Sequence, residues 1–147
     1  MKEESIKYEM RSRLEDAGIC DLKKNFVGDN ETPLEDYGEE GHWIMENVIG
    51  GDLQSLSDRR ETDETLVFQY TVLVPCWTGT ALLSSLAARI AAEFDVANPL
   101  KSEINGDGCH GAVTRVSASG GYDVVEGRWC AKTVNITVRA SGTPPIM

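Results

Sequence analysis

One stretch constrains this chain more than any other: an alternating apolar run followed without a break by a helical stripe. Between Glu64 and Val74, the residues Leu66, Phe68, Tyr70, Val72 and Val74 occupy every second position, which places all five on one face of a strand. Val67 and Leu73 make the other face half-apolar. Pro75 has no N–H to give a ladder and closes the strand, and Thr78-Gly79-Thr80 supplies hydroxyls of the kind that cap a helix start. From Ala81 to Phe94, Leu83, Leu86, Ala87, Ile90, Ala91 and Phe94 recur at three- and four-residue spacing, with Ser84, Ser85, Arg89 and Glu93 outside the stripe. The pattern predicts a strand whose even face is covered by the helix that follows it.

The remaining segments read as additions to that unit. Ser5 to Ala17 carries Ile6, Met10, Leu14 and Ala17 at helical spacing, Glu3 and Glu4 suit the positive end of its dipole, and Gly18 stops it. Ile19 to Val27 fits either a continued helix or a short extended piece, and is expected at an edge or in a connector. His42 to Ile49 has strand composition and ends at Gly50-Gly51. The polar segment Asp52 to Asp63 joins it to the central strand without a helical crossover, so the two strands should pair antiparallel around a tip longer than the usual ~2–5 residues. After the helix, Ala97-Asn98-Pro99 breaks the pattern and Lys101 to Gly108 reads as a loop. Cys109 to Ser119 and the longer Val124 to Ala140 follow as strands, separated by a turn at Gly120-Gly121. This order predicts an α+β fold, an antiparallel or mixed β-sheet with two helices packed on one face and a semi-polar second face. A single domain over 1–142 and an extended C-terminal tail, Thr143 to Met147, complete the expectation.

The 14 Lys and Arg stand against 24 Asp and Glu, a formal charge of -10 that repels phosphate backbones and disfavours sequence-reading nucleic-acid binding. No apolar run approaches the roughly 20 residues of a bilayer span, so no membrane partner is expected. The charged start Met1-Lys2-Glu3-Glu4-Ser5 is unlike a signal peptide and points to synthesis in a cytoplasm. In that setting Asn30-Glu31-Thr32 and Asn135-Ile136-Thr137 match the glycosylation pattern by chance.

Covalent chemistry finds little support. Cys20, Cys76, Cys109 and Cys130 lack the short spacing that prearranges thiolates for a metal or redox pair, and read as core thiols. Cys109-His110 is the adjacent Cys/His pair, but neighbours on a strand point to opposite faces, so an enzyme built on them is the weaker class. Zinc at Cys76, Cys109, His110 and Cys130 has equally little behind it. Asn105-Gly106-Asp107-Gly108 and Ser119-Gly120-Gly121 lack the Lys-Ser/Thr ending of a phosphate loop and read as turns. No cofactor, no metal and no catalytic residue are therefore expected. Of the tryptophans, Trp43 and Trp129 are expected in cores, and Trp77, at the strand-to-helix corner, is the one placed to meet a neighbour.

Taken together, the N-terminal helix, the Trp43 strand, the hairpin loop, the strand Leu66 to Val74 ending in Pro75, the Thr78-Gly79-Thr80 helix opening and the closing strand Trp129 to Val138 resemble the tail terminator or tail completion proteins of long-tailed bacteriophages. The resemblance covers most of the chain and rests on element order with a few local matches. It implies a structural virion protein, assembled in the host cytoplasm and sited at the head-proximal end of the tail. It implies a ring, of six subunits in expectation, that sits on the tail tube protein, halts polymerisation and meets the head-tail connector protein, while DNA passes the lumen without sequence-specific contacts. Another head-tail joining (neck) or minor tail protein is the alternative.

Two sites follow as expectations. The hairpin tip carries Leu53 and Leu56 as apolar anchors and Arg59 and Arg60 as adjacent positive charges on an acidic molecule. It is expected to be the arm that docks on a neighbouring tail protein. The loop from Asp29 to Gly41, with Asp29, Glu31, Glu35, Asp36, Glu39 and Glu40, is the densest source of negative charge and is expected to help line the lumen.

Overall fold

The computed structural model describes residues 2–28, 41–55, 62–94, 100–101 and 110–142. Helix α1 spans Lys2–Asp16 and α2 spans Ala81–Glu93, with strands β1 Phe26–Gly28, β2 Trp43–Ser55, β3 Thr62–Pro75, β4 Leu100–Lys101, β5 His110–Ala118, β6 Asp123–Val125 and β7 Trp129–Gly142. The strands form one mixed sheet in the order β1-β2-β3-β7-β5-β4, with β6 also on β7. Among the described strands only the β1–β2 pair is parallel. The fold is α+β.

The alternation on β3 has the consequence its periodicity requires: Leu66, Phe68, Tyr70, Val72 and Val74 are all fully buried. They pack with Val134, Ile136 and Val138 of β7, with Ile6, Met10 and Leu14 of α1, and with Leu83, Leu86, Ala87 and Ile90 of α2. Both helices thus lie on the same face of the sheet. Gly18, at φ 73, turns the chain out of α1, since a side chain there would meet the left-handed penalty. Arg89 of α2 donates to the Ala17 carbonyl at 2.7 Å, which joins the two helices and puts a cation where α1 leaves its carbonyls unpaired.

Three local expectations are corrected. The Thr78 hydroxyl does not cap α2; it donates back to the Pro75 carbonyl at 2.7 Å across a turn of 3-10 helix, and Thr80 takes the cap position without a side-chain bond. The stretch Val124 to Ala140 is not one strand. Glu126 and Gly127, both at positive φ, form a tight turn closed by the Arg128 N–H on the Val125 carbonyl at 3.3 Å, so β6 folds back on β7 as a hairpin. Gly120-Gly121 interrupts the line between β5 and β6, which lie along the same side of β7. Finally, Gly50-Gly51 does not end its strand. The ladder shifts register between Gly50 and Leu53 and resumes through Ser55 opposite Thr62, because β7 continues to Gly142 and holds the start of β3 from its other side.

Candidate interaction surfaces

The sheet face opposite the helices carries no helix of the described residues. At one end, Leu73, Trp129, Ala131 and Val27 form a small core of their own, with Trp43, Met45 and Val125 packed on it. Farther along, the strands present rows of polar side chains. Thr71 and Thr133 join hydroxyl to hydroxyl at 3.0 Å, and Asn47 donates to Gln69 at 3.0 Å in the next row. Asn135 continues that row on β7, and its Oδ1 is buried without a hydrogen-bond partner among the described residues. Ile49 and Val67 stand beyond it, Ile49 being exposed. This is the semi-polar second face expected from the sequence.

The corner between β3 and α2 presents Trp77, 77% exposed, as expected for a side chain placed to meet a neighbour. Leu82 at the start of α2, together with Tyr122 and Val124 beside and within β6, is also exposed. Trp129 is buried and Trp43 half-buried, the latter two on the face away from the helices.

A charged cluster that sequence reasoning missed sits under the other edge. Glu46 of β2 is fully buried. Arg11 of α1 grips both of its oxygens, Nε at 3.1 and 3.2 Å and Nη2 at 2.5 Å, while the Tyr70 hydroxyl donates to Oε2 at 3.1 Å. The guanidinium lies over the Phe26 ring at 5.2 Å. Gly28 leaves it room, since a Cβ there would collide with Nη2. Burial, and then the Glu46 carboxylate, hold the Tyr70 hydroxyl well above its usual pKa. These contacts fasten α1 to β1 and β2. The signal was present in sequence as a lone Glu inside an apolar strand, Ile44-Met45-Glu46, and a buried charge demands a partner.

Between the end of α1 and the start of β2 lies a cavity of about 470 Å³, lined by Ile19, Cys20, Asp21, Lys24, His42 and Trp43 among others. His42 Nε2 bonds the Ile19 carbonyl at 2.6 Å and Asn25 donates to the His42 carbonyl at 3.1 Å, so both polar side chains brace the wall. The Cys20 thiol is pushed up to about 12 by burial and by Glu15, Asp21 and Glu46 in turn. It is therefore a proton-holding core thiol, poorly suited to act as a nucleophile.

Of the expected site residues, Leu53 lies on β2 opposite Glu64, on the part of the ladder that runs past the bulge. Leu56, Arg59 and Arg60, the acidic Asp29, Glu31, Glu35, Asp36, Glu39 and Glu40, Cys109 and the tail 143–147 lie outside the described residues. His110 opens β5 opposite Ser141. Among the described residues no His, Cys, Asp and Glu are grouped as metal ligands. No helix of the described residues is long and apolar enough to cross a membrane.

No protein-family model matches the chain, and no curated protein does. A solved structure that bears no descriptive name is similar over the full length, with 21% identity, a TM-score of 0.61, and coverage of 100% of this chain and 99% of that one. The fold is shared with a known structure. At that identity the likeness establishes the fold and carries no function.

Proposed function

We propose that this protein is a ring-forming structural protein of a phage tail, which caps the finished tail tube, stops its growth and offers a surface to the head-tail connector. The observation that supports it best is the uncovered sheet face. Its rows of Thr, Asn and Gln satisfy much of one another's hydrogen bonding, so the face tolerates water in a free subunit, yet it is continuous across the longest strands and suits a flat contact. A subunit that stays apart until a tube end organises it needs such a surface. His42 braces a wall, Cys20 and Cys130 are buried, His110 opens β5, and Cys109 lies outside the described residues. The order of elements that carried the resemblance to tail terminators is otherwise the order in the fold.

In this reading the ladder that carries Leu53 past the bulge is the root of a docking arm whose tip holds Leu56, Arg59 and Arg60. Part of the -10 charge, with the 29–40 loop as its densest source, faces the lumen and keeps DNA from being held. Purified protein mixed with tail tubes, viewed by electron microscopy, tests the proposal: rings should cap tube ends and stop further growth. Tubes that stay uncapped, with the protein at another point of the head-tail joint, would instead support a neck protein.

A further inference from the structure

We infer that neighbouring copies of this chain join edge to edge, the β6 edge of one copy lying along the β1 edge of the next, with Tyr122 of the first seated in the cavity beside Trp43 of the second. The inference rests on the ring reading for its setting but is carried by three features of the sheet.

The first is that both edges are short and carry no further strand among the described residues. Strand β1 is bonded only to β2 and β6 only to β7, so each has an outer side that no described strand occupies. Such an edge is a template for another chain. The second is their level. Following register across the sheet, Phe26 faces Ile44, Ile44 faces Val72 and Val72 faces Lys132. Asp123 faces Ala131, the residue next to Lys132. The two edges therefore sit at nearly the same height along the strands, and β1 runs opposite to β6. A copy turned about an axis along the strands would bring them together antiparallel with little rise, and a head-to-tail contact without rise closes into a ring rather than a helix.

The third is complementarity. Lys23 and Lys24, both exposed, lie just before Asn25 and the β1 edge, while Asp123 opens β6 and Glu126 follows it, both also exposed. None of the four is in an ion pair among the described residues. On the acidic edge Tyr122 and Val124 are 53% and 60% exposed, apolar area that the described residues leave uncovered. Before the β1 edge the cavity of about 470 Å³, whose lining includes Asp21, Lys24 and Trp43, is large enough for a tyrosine side chain. Exposed Tyr122 and Val124, with Asp123 and Glu126 beside them, thus meet a cavity that has Lys24 in its lining and Lys23 next to it in sequence.

The test uses the full chain in three forms: wild type, Lys23→Glu with Lys24→Glu, and Asp123→Lys with Glu126→Lys. Carbodiimide, which joins amine to carboxylate without a spacer, is applied to a mixture of isotopically light and heavy protein, free at high concentration and on tail tubes. In the wild type, mixed-isotope links should connect Lys23 or Lys24 to Asp123 or Glu126. Each reversed variant, with unchanged circular dichroism, should self-associate about tenfold more weakly. An equimolar mixture of the two variants should recover wild-type association, because in alternation every contact again pairs unlike charge. Tyr122→Ser should weaken association without altering the thermal melt. If wild-type rings form on tubes and both reversed variants form them equally well, the edge pairing is overturned and the tube-end reading stands. If no tube is capped but the free protein gives the mixed-isotope links, the edge pairing stands and the tube-end reading fails. Absence of the links in both settings overturns the edge pairing.

Discussion

Arg11→Met removes the cation from a carboxylate that has no water to fall back on. Glu46 is 0% exposed and receives Arg11 at 3.1, 3.2 and 2.5 Å, leaving only the Tyr70 hydroxyl at 3.1 Å once the guanidinium is gone. Breaking a buried pair by deleting one partner costs about 3–5 kcal/mol. The Arg11 side chain is itself 31% exposed, which screens the pair and puts the expectation at the lower end, about 3 kcal/mol. Loss of the stack on Phe26 adds about 0.5–1 kcal/mol. For a domain of this size that is a fall in Tm of roughly 10 °C. The assay is urea unfolding followed by tryptophan fluorescence, with the slope checked to be unchanged so that the shift in midpoint reads as stability. Arg11→Met combined with Glu46→Leu replaces both charges by apolar groups and should return to within about 1 kcal/mol of the wild type. A loss of less than about 1 kcal/mol in the single Arg11→Met variant would instead show that Glu46 is solvated in the folded protein.

Further outcomes follow from the same contacts and from the arm. Tyr70→Phe, which deletes one donor to the carboxylate, should cost about 1.5–3 kcal/mol by the same unfolding assay. Gly28→Ala should cost about 1–3 kcal/mol in the wild type, since its Cβ collides with Arg11, and distinctly less in the Arg11→Met background. The Cys20 thiol, moved from 9.0 to about 12 by burial, keeps its proton in the folded chain after the unfolded chain has lost it. Its contribution is whole below pH 9.0 and is lost as pH rises towards about 12, at up to about 1.4 kcal/mol per pH unit, so Cys20→Ala should flatten the alkaline fall of Tm. Replacing Leu53 and Leu56 with Ser and Arg59 and Arg60 with Glu should leave Tm nearly unchanged and abolish attachment to tail tubes; normal tail completion by this variant would make the arm a spacer.

What could be read in the sequence, and what could not, divides along physical lines. The core of β3 and the stripe of α2 were legible because burial on one face imposes a period that no local competitor disturbs. The extension of β2 to Ser55 was not, because Gly50-Gly51 looks like a stop and only the distant strand β7 decides that the ladder resumes. The Glu126-Gly127 turn was hidden by a positive φ at Glu126, a residue type that seldom takes it, within a run that otherwise reads as strand. Among the surfaces, exposed Trp77 and the semi-polar sheet face were visible in outline. The Arg11–Glu46–Tyr70 cluster was not, since its members stand 35 and 24 residues apart and meet only when α1 crosses β2. The same holds for the level of β1 with β6, which is a property of register across five strands.

The proposal that this protein caps a tail tube as a ring is open to electron microscopy of purified tail tubes incubated with the protein and with additional tube subunits. A closed ring should stand at one end of each tube, with no further lengthening once it is present. Tubes that continue to grow, with no density of this protein at their ends, would contradict it.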